Sequence, residues 1–296
     1  MLTKEAFQAR LQSGLCLLDG ATGSNLRAAG MPKGCCTEIW VLEHPEALVA
    51  LQRAYAEAGS QIIYAPTFQA QPIALKAEGM DKHTEKINEA LVSLSRSAAP
   101  GCLIAGDLTT LATFCESWNP DNFDLLVENY RRQIRGLIEG GADLLVGETL
   151  LYAQEAEAIL TAAELEGAGA SMYSFTMQPD GSLFSGAEAG PVLKDLEQAG
   201  ACAVGFNCVA ADMMTPYLVS KLRRYTRLPL ICKPNAGIPT IGGDGIAQYD
   251  MSPEAFSEIV KQCFNNGASI LGGCCGTTPA HIAAINASSF QKSNPF

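Results

Sequence analysis

Histidine is scarce and basic charge is in deficit. Only three histidines occur among 296 residues. His44, His83 and His281 each fall on or near a segment with helical periodicity, which disfavours a site built on imidazole. Lys+Arg number 20 against Asp+Glu 31, a net charge of -11. Such a surface repels phosphate backbones and anionic headgroups, so nucleic acid and membrane are not expected as partners. No run approaches the ~20 consecutive apolar residues of a membrane span, and the polar start Met1-Leu2-Thr3-Lys4-Glu5 is not that of a signal peptide. The first apolar run is not followed by Gly-x-Gly-x-x-Gly, which removes the main support for a dinucleotide-binding open sheet. The expectation is a soluble, cytoplasmic protein that acts on a small molecule or another protein.

What is present in excess is cysteine, 11 in all. In a reducing compartment these are thiols, available as ligands or as small core residues. Cys16, Cys102, Cys202 and Cys232 lie in apolar runs and Cys263 in a helical stretch, so core packing is the expected role of each. The apolar runs recur eight times: Leu15–Leu18, Gln61–Tyr64, Cys102–Ala105, Asp143–Val146, Ser171–Phe175, Cys202–Phe206, Leu228–Cys232 and Ser269–Leu271. Each is followed by an amphipathic segment, such as the one with Ile87, Leu91 and Leu94 at helical spacing. Eight buried strands alternating with helices predict an α/β fold, a (β/α)8 TIM barrel formed as a single domain by residues 1–288, with 289–296 as a C-terminal tail. Leu183–Gly190 and Gly237–Asp250 read as loops over a site.

Chemistry in such barrels collects at the carboxyl ends of the strands. Reading those positions in order gives Asp19, Thr67, Asp107, Glu148, Asn207-Cys208, Lys233-Pro234-Asn235 and Cys274-Cys275. The fold therefore brings Cys208 to the same mouth as the cysteine pair. Three thiolates suit Zn2+ with its fourth tetrahedral position left open. Such a metal carries net charge -1, which suits it less to making hydroxide than to holding a thiol substrate as thiolate. Full ionisation of a free thiol with pKa near 8.5 is worth roughly 2 kcal/mol at neutral pH. Asp19 and Glu148 then suit a cationic group such as an ammonium, although a carboxylate pair could also serve sugar chemistry, or pair with Lys233. Thr67, Asn207 and Asn235 offer neutral hydrogen bonds to a substrate. Phe68, Phe114, Trp118, Tyr152 and Phe184 follow strands and could line a pocket for a cationic donor.

Leu18-Asp19-Gly20-Ala21-Thr22-Gly23, Gly205-Phe206-Asn207-Cys208, Pro234-Asn235-Ala236-Gly237-Ile238-Pro239 and Gly272-Gly273-Cys274-Cys275-Gly276-Thr277 together resemble the homocysteine S-methyltransferase family. The Asp-Gly-Ala-Thr-Gly and Pro-Asn-Ala-Gly segments are most similar to the homocysteine-binding module of cobalamin-dependent methionine synthase. The resemblance implies a zinc-dependent methyltransferase of methionine biosynthesis. In it Cys208, Cys274 and Cys275 hold the metal, the homocysteine sulfur takes the fourth site, and Asp19 and Glu148 contact the amino group. Because the chain stops after the barrel, it also implies either a methylated corrinoid (methylcobalamin) or folate-linked partner protein in trans, or a small donor such as S-methylmethionine. Two segments depart from the family pattern: Ala65-Pro66-Thr67-Phe68 lacks an Asn before Thr-Phe, and Gly106-Asp107-Leu108-Thr109-Thr110 lacks a Gly-Pro. Both fall at the mouth. A second reading, of a different class, is a non-catalytic zinc-dependent homocysteine- or thiol-binding subunit of a multi-protein methyl-transfer system. A third, a barrel aldolase or lyase, would use Lys233 as a Schiff-base nucleophile.

Overall fold

A computed structural model describes residues 1–12, 14–112, 119, 122–243 and 245–288. Eight parallel strands run in the order first, eighth, seventh, sixth, fifth, fourth, third, second. A parallel bridge between Leu18 and Ile62 joins the two ends of that order, closing the sheet into a barrel. The strands are Cys16–Leu17, Ile62–Tyr64, Leu103–Thr109, Leu144–Leu150, Ser171–Phe175, Ala203–Ala210, Leu230–Asn235 and Ala268–Leu271. All eight expected runs become strands. The third, fourth, sixth and seventh extend past the apolar run into polar sequence, so Asp107, Glu148, Cys208 and Lys233 lie on the strands themselves and not on the loops after them. A ladder fixes a side chain more tightly than a loop does.

Two apolar layers follow from strand alternation. Inside the barrel, Leu18, Ile62, Ala105, Val146, Met172 and Ile231 belong to one buried cluster. Outside, the opposite faces of the strands pack against helices such as Phe123–Glu139 and Ala153–Leu165, with Leu145, Tyr173, Val204 and Phe206 in a second cluster. The helix Lys4–Leu11 shows almost no amphipathic pattern and was not expected from the sequence. Its N-cap, Thr3, accepts from the amide of Ala6. It contributes Phe7 and Leu11 to the interior cluster, and Leu2 bonds both Asp143 and Ala170 at 2.7 and 2.9 Å, which fixes it at the amino-terminal end of the barrel. The long connection after the first strand is also partly helical, Gly23–Ala28 and Thr37–Glu43. The Gly237–Asp250 segment, expected as a loop, contains a small antiparallel hairpin, Thr240–Ile241 with Ala247–Gln248. The tail 289–296 lies outside the described residues, as do Phe114 and Trp118.

Cys16, Cys102, Cys202, Cys232 and Cys263 are buried free thiols, as expected of core cysteines. No helix is long and apolar enough to cross a membrane among the described residues.

One position shows how tightly the sixth and seventh strands approach. A Cβ placed on Gly205 would lie 2.1 Å from the carbonyl oxygen of Ile231, which is backbone and cannot move aside. Gly205→Ala is expected to cost about 3 kcal/mol and to lower the thermal midpoint by roughly 6–10 °C. Gly101→Ala, where nothing lies within 4 Å of the added carbon, is the control and should melt within about 2 °C of the parent.

Candidate metal centre and substrate cavity

The three cysteines meet. Cys208 Sγ lies 3.2 Å from Cys274 Sγ and 3.7 Å from Cys275 Sγ, and all three sulfurs lie within 4.8 Å of one another. Tetrahedral Zn2+ with bonds of about 2.3 Å would separate its sulfurs by about 3.8 Å. The trio is therefore compact enough to share one ion with shifts well under an ångström at the two closest pairs. Donation from Cys208 and Cys274 pulls the Cys275 thiol down to about 3, whereas its bonds to Cys274 and Cys275 push Cys208 well up. Three sulfurs in mutual contact form a donor set that can exchange its protons for a soft cation.

Local chain geometry explains how sulfurs 66 and 67 residues apart converge. On the sixth strand, pairing with the seventh slips between Asn207 and Ala210, and Cys208 takes φ +57°. On the fourth strand, pairing with the fifth slips between Gly147 and Leu150, and Thr149 also takes φ +57°. These are the non-glycine residues with positive φ among those described. For a β-branched threonine this region is strained, and such strain persists only where surrounding contacts impose it. Here Asn207 imposes it. Its Oδ1 accepts from Thr149 N at 2.8 Å and from Ser174 Oγ at 2.9 Å, and its Nδ2 donates to Thr149 Oγ1 at 2.7 Å and towards Cys274 Sγ at 3.8 Å.

The pair at the eighth strand is held by its own backbone. Cys274 N donates to Pro234 O at 2.7 Å, Gly273 N to Asp19 O at 3.1 Å, and Ala236 N to Cys275 O at 2.9 Å. Gly276 turns the chain at φ +80°, and a Cβ there would strike the ring of Tyr249 at 2.3 Å. Thr277 Oγ1 donates to Cys274 O at 2.7 Å and accepts from Ala21 N at 3.1 Å, tying this loop to the one after the first strand.

Beside the sulfurs lies a cavity of about 330 Å³, lined by Asp19, Asp107, Glu148 and Lys233 together with Cys208, Cys274 and Cys275. Tyr64, Phe68 and Tyr249 supply its aromatic wall. A larger cleft of about 630 Å³ opens near the amino-terminal helix, between Leu11 and Phe264, and includes none of these groups. Lys233 pairs with both carboxylates, as the sequence allowed for either. It is 3% exposed, with Nζ 3.5 Å from Glu148 Oε2, 3.9 Å from Asp19 Oδ1 and 4.8 Å from the centroid of the Tyr64 ring. Burial alone would lower its pKa, but the charges of Glu148, Cys274 and Asp19 outweigh that and hold it well above the usual lysine range. An amine held protonated between two acids is a poor Schiff-base nucleophile, which argues against the aldolase reading. Burial pushes Asp19 and Glu148 each up to about 7 against the pull of Lys233.

The neutral residues expected to face a substrate sit differently. Thr67 is fully buried, accepts from Asp107 N and donates to Asp107 O, both at 2.9 Å. Asn207 is fully buried with its amide engaged as described. Neither lines the cavity, so both hold neighbouring residues in place. Asn235 is buried, with an Oδ1 that lacks a partner among the described residues. Of the expected aromatics, Phe68 lines the cavity, Tyr152 caps the helix Ala153–Leu165 and Phe184 is 55% exposed. Tyr249 and Glu38, on the hairpin segment and the helix Thr37–Glu43, line the cavity without having been singled out. An aromatic inside a loop predicted to cover the site was the available signal for Tyr249.

A family model described as homocysteine S-methyltransferase matches residues 16–288. Methionine synthase of Mycobacterium tuberculosis is 28% identical over 291 residues, 91% of this chain, which spans 24% of that protein's length. The crystal structure of the homocysteine methyltransferase MmuM from Escherichia coli in its metallated form superposes with TM-score 0.81 at 28% identity, covering 95% of this chain and 99% of that one. Its apo form gives 0.72 at 27% identity, covering 93% and 96%. With the family match running from the first barrel strand to the end of the last helix, the chain belongs to the homocysteine S-methyltransferase family, methyltransferases that act on homocysteine.

Proposed function

We propose that this barrel is a zinc-dependent enzyme that methylates the sulfur of homocysteine to give methionine, with Cys208, Cys274 and Cys275 as the zinc ligands. The observation that carries this reading is the convergence of three sulfurs within 4.8 Å at the wall of a cavity that also contains buried carboxylates. The likeness over 95% of the chain to a homocysteine methyltransferase whose structure is known in a metallated form supports it. Bound there, zinc would supply a soft Lewis acid that keeps a thiol ionised at neutral pH.

The protein's own residues do the rest. Asp19 and Glu148 take the substrate ammonium, displacing part of their interaction with Lys233, whose charge keeps the empty cavity from becoming untenably anionic. Asn207 and the strained Thr149 and Cys208 fix the sulfurs before substrate arrives, so that orientation is not acquired during the reaction. Asn235 Oδ1, buried without a partner among the described residues, is an acceptor available to a substrate. The aromatic wall of Tyr64, Phe68 and Tyr249 excludes water from the reacting sulfur. The methyl donor is a small onium compound such as S-methylmethionine or a methylated corrinoid carried by a partner protein. Residues 1–288 are the working unit, and the abundance of free thiols fits a cytoplasmic location.

Two outcomes test this. Cys208→Ser and Cys274→Ser should each lose stoichiometric zinc by metal analysis and lose methionine formation by more than about 100-fold; full zinc and full activity in either would contradict the assignment. Glu148→Gln should keep zinc while raising the KM for homocysteine about 10- to 100-fold, the cost of one charge-assisted hydrogen bond in a buried site. Assaying S-methylmethionine, S-adenosylmethionine, betaine and methylcobalamin in turn identifies the donor class.

A further inference from the structure

Asp107 occupies a departure from the family's sequence pattern, and its surroundings are built for a ligand. It is 4% exposed and lines the cavity beside Glu148. Its backbone is fixed on both sides: Asp107 N donates to Thr67 Oγ1 at 2.9 Å, Thr67 Oγ1 donates to Asp107 O at 2.9 Å, and Gln133 Nε2 donates to Asp107 O at 3.2 Å and to Thr67 O at 2.6 Å. The side chain lies against Glu148, and its Oδ1 has no donor residue of its own among those described. Asp19 Oδ1, Asp107 Oδ1 and Glu148 Oε2 are each buried without a hydrogen-bond partner among the described residues. Lys233 approaches the first and third at ion-pair distance, 3.9 and 3.5 Å, but no ion pair reaches Asp107 among those residues. Three carboxylates thus face one lysine. A buried acceptor without a donor costs about 1–3 kcal/mol, and more when charged, so the fold maintains these three against a standing penalty.

A primary ammonium has three N–H donors and one positive charge. It suits a cavity lined by three buried carboxylates in charge and can donate to more than one of them, as a sulfonium or quaternary ammonium, with no N–H, cannot. Resting on the homocysteine reading above, we infer that Asp107 is a third ammonium-binding carboxylate, which with Asp19 and Glu148 makes the cavity specific for a substrate bearing a primary amine. Burial, and the charge of the neighbouring Glu148, push Asp107 well above the usual carboxylate range.

The experiment uses the zinc-loaded protein, Asp107→Asn and Asp107→Ser. Homocysteine binding is measured by titration calorimetry, and 4-mercaptobutyrate, which is homocysteine without its amino group, is measured by displacement of homocysteine. The dissociation constant for homocysteine should rise about 10- to 100-fold in both variants, that for 4-mercaptobutyrate should change by less than about twofold, and the zinc content should not change. The ligand-free variants should melt no lower than the parent, since an unpaired buried carboxylate has been removed. Unchanged homocysteine binding, an equal loss for both thiols, or a lowered melting midpoint in both variants would overturn the role of Asp107 and leave the zinc–homocysteine reading standing. A zinc-loaded parent that binds neither thiol would overturn both.

Discussion

A single buried ammonium, that of Lys233, makes the rest of the site tenable. Its Nζ stands between Asp19 of the first strand end and Glu148 of the fourth, over the face of Tyr64 from the second. Without it, three carboxylates and three thiols would be enclosed in one low-dielectric cavity, and most would have to be protonated. With it, the cavity remains anionic enough to attract a cation yet is not self-destroying. Lys233 can hold this position because the seventh strand continues through it to Asn235, and a lysine fixed on a paired strand cannot swing away to solvent.

Around that charge the barrel concentrates strain where it is useful. Thr149 and Cys208 both adopt left-handed backbone conformations next to slips in strand pairing. Asn207 links them, bonding both main chain and side chain of Thr149 while its amide reaches towards Cys274. The cost of two such conformations, about 1–3 kcal/mol each, is offset by the buried hydrogen bonds of Asn207 and Ser174. The result is a set of sulfurs positioned before any ligand binds, which is how a site lowers the entropic cost of bringing two reactants together.

Much of this was legible in the sequence because barrel geometry converts strand order into spatial neighbourhood. Eight apolar runs sufficed to place Cys208 with Cys274 and Cys275, and Asp19 with Glu148. The remainder depended on contacts that carry no periodic signal. The helix Lys4–Leu11 closes the barrel through two apolar residues, Phe7 and Leu11, too few to print an amphipathic pattern. Thr67 and Asn207 look like substrate ligands in a one-dimensional reading, but their hydrogen-bond partners, Asp107 and Thr149, lie 40 and 58 residues away. A positive φ at Thr149 runs against the preference of a β-branched residue, so only the folded chain reveals it. For Lys233 the sequence offers both an ion pair with Asp19 or Glu148 and a nucleophile; that it meets both acids at once is visible only in the folded chain.

The central claim is that three protein sulfurs leave a place for a fourth from the substrate. X-ray absorption at the zinc edge, recorded on the zinc-loaded protein before and after addition of homocysteine, tests it most directly. Three sulfurs with one lighter ligand should become four sulfurs at about 2.3 Å. A sulfur count that stays at three when homocysteine is bound, or that never reaches three without it, would contradict the claim.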